Sequence, residues 1–261
     1  MLKSEFSETQ FVLGYARELF NSIPNVFRIY APSTREEKEW AADLILKKYG
    51  KKNRYKYSVY YQFKRSKYYN HKIFYSLKGG ITINTSITPK HAFNIYNVSG
   101  SKQFNYLQKL AKKPRNKVYY CAPLFHTMND FNTFFSQKTI MTNTMHFDMA
   151  QQEIQRLKVP INSSPLVLFD TVDKHICSDP IKIEGTTIDV NQLLEINRAY
   201  DSINFTEGIS SELSILREIA FQEELISFLP EQSDNIYLNF IEYREWLLKL
   251  LNIFWFPIIE R

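Results

Sequence analysis

The sequence predicts an α/β fold in which a mixed central sheet is flanked by helices, followed by a mostly helical C-terminal region. Three observations lead there. Residues 57–64 alternate in the β sense, whereas residues 101–112 place apolar Phe104, Leu107, Leu110 and Ala111 at helical spacing. Residues 118–123 form a continuous apolar run bounded by Asn116 and Pro123, the pattern of a buried parallel strand reached through the preceding helix. From Val190 onward the periodicity is helical.

Taken in order, residues 7–21 are expected to form a first helix carrying Glu8, and residues 41–46 a short strand carrying Asp43. The polar, lysine-rich residues 47–56 read as a hairpin loop, and residues 57–64 as a second strand rich in aromatic and β-branched side chains. Residues 72–87 alternate around Gly79-Gly80, a hairpin turn, and residues 93–98 give a further strand. Residues 160–170, with Leu166-Val167-Leu168-Phe169, and residues 182–190 suggest two more strands. Ser211 is the expected N-cap of a helix over residues 211–229 with a stripe of Leu213, Leu216, Ile219, Ala220, Leu225 and Phe228. A last helix is expected from Tyr237 to about Phe256, packing into a core or forming a homodimer or partner surface with Trp246, Trp255 and Phe256 as candidate anchors. It carries Glu242, Arg244, Glu245 and Lys249, so it is not a membrane span. The shift in composition divides the chain into residues 1–135 and residues 136–261.

Charge is distributed in blocks. Between Leu44 and Asn129 there is no Asp or Glu, yet this stretch holds eighteen Lys and Arg and twelve of the seventeen tyrosines. Twenty acids against ten bases follow Asn129. Coding bias can inflate lysine and tyrosine, but it does not remove acids. Cations that neutralise phosphates, with tyrosine faces for bases and sugars, point to a nucleic-acid partner. Arg65, Lys67, Lys102, Lys112, Lys113 and Arg115 are the candidate contacts. The acidic C-terminal half is charged to pack against or shield this block.

The chemistry gathers where Asp43 precedes Tyr60-Tyr61-Gln62-Phe63-Lys64-Arg65-Ser66. On a strand Gln62 and Lys64 share one face and Phe63 points the other way, into a core. If the Asp43 strand pairs beside them, a carboxylate, an amide oxygen and an ammonium converge. Mg²⁺ prefers oxygen ligands and keeps several waters, so Asp43 and Gln62 could form half of its cage, with Glu8 or one of Glu36, Glu37 and Glu39 as the further acid. Lys64 beside the ion could orient or deprotonate water, or stabilise charge on phosphorus. The plain alternative is that Gln62 and Lys64 are ordinary strand residues.

A helix with Glu8, a strand with Asp43 and a strand with Gln62-Phe63-Lys64 resemble the PD-(D/E)XK nuclease superfamily, in the variant where Gln replaces the acid of the third motif. Residues 32–43 followed by Gln62-Phe63-Lys64-Arg65-Ser66 are also similar to bacterial proteins of that type, some of which look like restriction or phage-defence components. The resemblance covers roughly the first half of the chain. It implies a restriction-endonuclease-like core and a phosphodiesterase using Mg²⁺ or Mn²⁺. Asp43 and Gln62 would be metal ligands, Lys64 the catalytic lysine and Glu8 the helix-borne acid, with Glu39 as alternative. DNA is expected ahead of RNA. Two departures are that no Pro precedes Asp43 and that an amide stands in the third motif. A non-catalytic nucleic-acid-binding or assembly subunit is the rival reading.

Other chemistries find little purchase. His126, His146, His175, Cys121 and Cys177 lack the spacing of a zinc site, and no phosphate-binding loop or dinucleotide fingerprint is present. Two cysteines without paired spacing, and no signal-like segment, lead to the expectation of a reducing cytoplasm.

Overall fold

The computed structural model describes residues 2–22, 54–69, 90–94, 101–149, 166–169, 174–177, 184–186 and 201–260. The chain divides into two compact units: Met1–Leu19, Phe63–Ser101 and Tyr120–Leu193 form the first, and Phe20–Gln62, Lys102–Tyr119 and Leu194–Arg261 the second. Asp43, Glu36, Glu37, Glu39 and the Gly79-Gly80 turn lie outside the described residues.

The first unit holds an antiparallel sheet of six short strands. They are β1 (Leu2–Lys3), β3 (Lys67–Tyr68), β4 (His91–Asn94), β7 (Leu166–Phe169), β8 (Lys174–Cys177) and β9 (Glu184–Thr186), adjacent in that order. Helix α1 (Glu8–Ser22) begins with a reciprocal cap, in which Ser7 Oγ accepts from the Gln10 amide and Gln10 Oε1 accepts from the Ser7 amide. Its buried face presents Phe11 and Tyr15 to Phe63 at ring separations of 5.7 and 5.1 Å. Phe63 is 1% exposed, so it points into a core as the alternation predicts. Helix α3 (Met128–Gln137), capped by Thr127, and strand β6 (Thr144–Asp148) complete the described part of the unit. The turn between them is fixed by Glu18 of α1, whose carboxylate accepts from the Ile140 and Met141 amides, both at 2.8 Å.

The second unit is built on β2 (Arg54–Phe63), which is covered on both faces. Strand β10 (Ile203–Asn204) and strand β11 (Phe254–Glu260) both pair with it antiparallel. Strand β5 (Asn116–Pro123) runs parallel to β2: Ser58 N–H donates to Arg115 O and Lys64 N–H to Cys121 O, so both numbers climb together. The sheet is therefore mixed and the fold α/β, as the sequence predicts. Helix α2 (Ser101–Ala111) buries Phe104, Leu107, Leu110 and Ala111, the stripe read from its spacing.

Two C-terminal expectations are corrected. Helix α4 (Phe205–Gln222) starts before Ser211, because Asn204 caps it by accepting from the Thr206 and Glu207 amides. Helix α5 (Ile236–Leu251) stops at Asn252, which adopts a left-handed conformation at φ 51° and turns the chain back as β11. Trp246, Trp255 and Phe256 are packed inside the second unit, at 7%, 2% and 6% exposure, which is the core alternative of the sequence reading and not the surface one. Trp255 stacks on Tyr60 and meets Phe240 edge-on, while its Nε1 donates to Ser58 Oγ at 2.7 Å. Among the described residues no helix is long and apolar enough to cross a membrane.

Candidate functional site

Strand β2 ends at Phe63, and the four residues that follow are held by backbone and hydroxyl bonds. Lys64 N–H continues the ladder to Cys121 O, Ser66 Oγ donates to Pro123 O, and Ser4 Oγ donates to Ser66 O. Strand β3 then pairs with β1 on one side and β4 on the other. These pins bring the end of β2, the start of α1 and the tip of β4 around a cleft of about 490 Å³. Among the described residues its walls are Lys3, Ser4, Glu8, Lys64, Arg65, Ser66, Lys67, Phe93 and Asn94.

Glu8 and Lys64, which the sequence could relate only through a family resemblance, share this cleft. Glu8 lies in the first turn of α1, where the helix dipole favours a carboxylate. Burial lowers the Lys64 pKa from the ordinary lysine value, and the negative charge of Glu8 raises it in opposition. The Lys64 ammonium also sits 5.7 Å from the centre of the Tyr120 ring, within cation–π range. On the cleft wall, the Asn94 side-chain oxygen is buried and has no hydrogen-bond partner among the described residues. Sequence reasoning missed Asn94, since a four-residue strand says nothing about which residue lies beside a helix start distant in sequence.

Arg65 and Lys67 line the cleft as well, Arg65 exposed and Lys67 half-buried. Gln62 does not line it. It is fully buried, and its Oε1 accepts from Gln103 Nε2 at 2.6 Å, while Gln103 also donates to Leu251 O. The other candidate cations are spread through the second unit. Lys113 is paired with Glu218 of α4 at 2.9 Å, and Lys109 with Glu223 at 2.6 Å, so part of the basic block is neutralised by the acidic C-terminal region. Arg115 stands at φ 64° and gives its guanidinium to the backbone oxygens of Lys56 and Asp201, which makes it a clasp for the turn into β5. Lys112 is exposed, and Lys102 lies in the first turn of α2.

Seven tyrosines of the basic block are also redirected. Tyr55, Tyr57, Tyr60, Tyr61, Tyr106, Tyr119 and Tyr120 are all 2% exposed or less, so they build cores and cannot offer faces to bases. Tyr68 and Tyr69, beside Lys67, are half-buried and keep some exposure.

Among the described residues no group of three or more His, Cys, Asp or Glu could hold a metal ion. A hard cation asks for less than that. The Glu8 carboxylate is an oxygen donor on the cleft, and Mg²⁺ is commonly held by one or two carboxylates plus waters and phosphate oxygens. The donor set fits Mg²⁺ or Mn²⁺. It has no soft ligand that would select zinc or copper.

Compared with known proteins, the chain matches no family model, no curated protein and no solved structure.

Proposed function

We propose that this protein is a metal-dependent nuclease that hydrolyses nucleic-acid phosphodiester bonds in the cleft at the end of β2. The observation that carries the reading is the meeting of Glu8 and Lys64 in one cleft with Arg65 and Lys67. Arg65 and Lys67 would bind the flanking phosphates, and Lys64 would face the scissile one. A buried lysine of lowered pKa can accept a proton from the attacking water, or in its charged form stabilise the oxyanions as phosphorus becomes pentavalent. Glu8 would hold Mg²⁺ or Mn²⁺, with Asp43 as a further carboxylate from the sequence. Such an ion supplies Lewis acidity to the phosphoryl oxygen and acidifies bound water. A cytoplasmic setting and DNA as substrate, as in restriction or phage defence, belong to the same proposal.

One observation favours the rival reading of a binding subunit without chemistry: the Gln62 amide oxygen is engaged by Gln103 rather than turned to the cleft. Cleavage of labelled single- and double-stranded DNA and RNA separates the two. Wild-type protein is expected to cut with Mg²⁺ or Mn²⁺ and stop with EDTA, while Glu8→Ala, Asp43→Ala and Lys64→Ala bind without cutting. Binding without cleavage by the wild type in every metal would establish the subunit instead.

A further inference from the structure

Strands β1 and β3 pair in a register that sets Lys3 directly opposite Lys67. Side chains so placed have Cβ atoms roughly 5 Å apart, and like charges there repel. Neither lysine makes an ion pair among the described residues, and both line the cleft. An edge strand often carries a lysine to discourage pairing with another sheet, and β1 is an edge. Lys3 alone would serve that purpose. Lys67 is on the next strand in, where a neutral or acidic partner for Lys3 would be more stable.

Among the described residues the lining repeats the imbalance, with Lys3, Lys64, Arg65 and Lys67 against the carboxylate of Glu8. One internal phosphodiester brings a single negative charge, whereas a terminal phosphomonoester brings nearly two and three acceptor oxygens. Size points the same way. A volume of about 490 Å³ is in the range of pockets for small organic ligands, which suits a strand end.

We propose that Lys3 and Lys67 form a clamp for a terminal phosphomonoester, so that the cleft grips the phosphorylated end of a single nucleic-acid strand. The inference rests on the nucleic-acid reading of this cleft and gives it a substrate class: strand ends rather than interior duplex. Lys3 and Lys67 are binding residues here, and Glu8 and Lys64 remain the reacting pair.

The test measures binding in EDTA, so that hydrolysis plays no part. Fluorescent single strands carrying a 5′-phosphate, a 3′-phosphate or hydroxyls at both ends are titrated against wild-type protein and against Lys3→Gln, Lys67→Gln and the double variant. One phosphorylated end is expected to bind about tenfold more tightly than the hydroxyl-ended strand, and the two arms tell which end is read. That ratio should fall to about one in the double variant, whose fold is checked by circular dichroism. Equal affinity for all three strands in the wild type, or a preference that survives in the double variant, would overturn the clamp. An end preference without cleavage in any metal would uphold the clamp while removing hydrolysis from the proposed function.

Discussion

The carboxylate of Glu212, buried in the second unit, accepts a hydrogen bond from the hydroxyl of Tyr60 on the central strand. Tyr55 adds a second hydroxyl at 3.3 Å and Asn116 an amide at 2.9 Å, so one acid on α4 ties down both β2 and β5. Burial raises its pKa to about 7, against the lowering effect of the bonds from Tyr60, Asn116 and Tyr55.

Stability should therefore fall as pH rises. The folded state holds the Glu212 proton up to about pH 7, whereas the unfolded chain releases it near the ordinary value of 4.5, so between these pH values the folded state binds more protons. The contribution amounts to about 3 kcal/mol, lost as pH climbs from 4.5 to 7. Glu212→Gln preserves an acceptor for Tyr60 and Asn116 and should flatten this part of the curve. Urea melts of both proteins at steps across that range give the answer. A parallel slope in the variant would assign the dependence to another group.

Gly208→Ala sets two effects against each other. Alanine in a helix gains up to about 1 kcal/mol over glycine. A Cβ at this position would overlap the inner atoms of the Tyr55 side chain, which cannot swing away while its hydroxyl is held by Ser58 and Glu212. Overpacking of that kind costs about 2–3 kcal/mol, so the variant should be less stable by about 1–2 kcal/mol. A chemical denaturation midpoint at or above that of the wild type would show that Tyr55 yields.

Glu18→Ala strips the acceptor from two backbone amides at once. Each buried N–H left unmatched costs about 1–3 kcal/mol, so a loss of about 3 kcal/mol is expected. Glu18→Gln keeps one acceptor and should lose roughly half as much. Hydrogen exchange at Ile140 and Met141 localises the effect, and unchanged protection in Glu18→Ala would mean the turn holds itself.

For Lys64, the lowered pKa gives a sign to the pH dependence of cleavage. A neutral amine that takes a proton from water makes the rate rise with pH and level off below the ordinary lysine value of about 10.4. Lys64→Arg keeps the charge and cannot deprotonate, so it should be inactive. A rate that is flat from neutral to alkaline pH, with Lys64→Arg active, would leave Lys64 an electrostatic role only.

Legibility in the sequence follows from which forces are local. Phe63, the α2 stripe and the parallel strand β5 are readable because each buries one face or one run, and periodicity reports burial. Strand β11 is not, since Phe254-Trp255-Phe256 continues the apolar character of α5 and only the left-handed Asn252 separates them. The start of α4 hides for a similar reason: Ser211 and Asn204 both suit a cap, and the sequence does not rank them. In the site, Lys64 was found through its neighbours in the chain. Lys3 and Asn94 could not be, because a two-residue strand pairing and a strand tip are set by tertiary contacts alone.

Trp255 bonds to Ser58 across 197 positions of sequence, and the whole of β11 lies against β2 in the same way. During synthesis, β2 leaves the ribosome with one flank open and stays so until residues 254–260 emerge. At translation speeds of roughly 5–20 residues per second, that wait is on the order of ten to forty seconds. For that interval a strand of tyrosines stands without its neighbour, so the yield of folded protein should depend on the pace of translation and on chaperones that shield an open sheet edge.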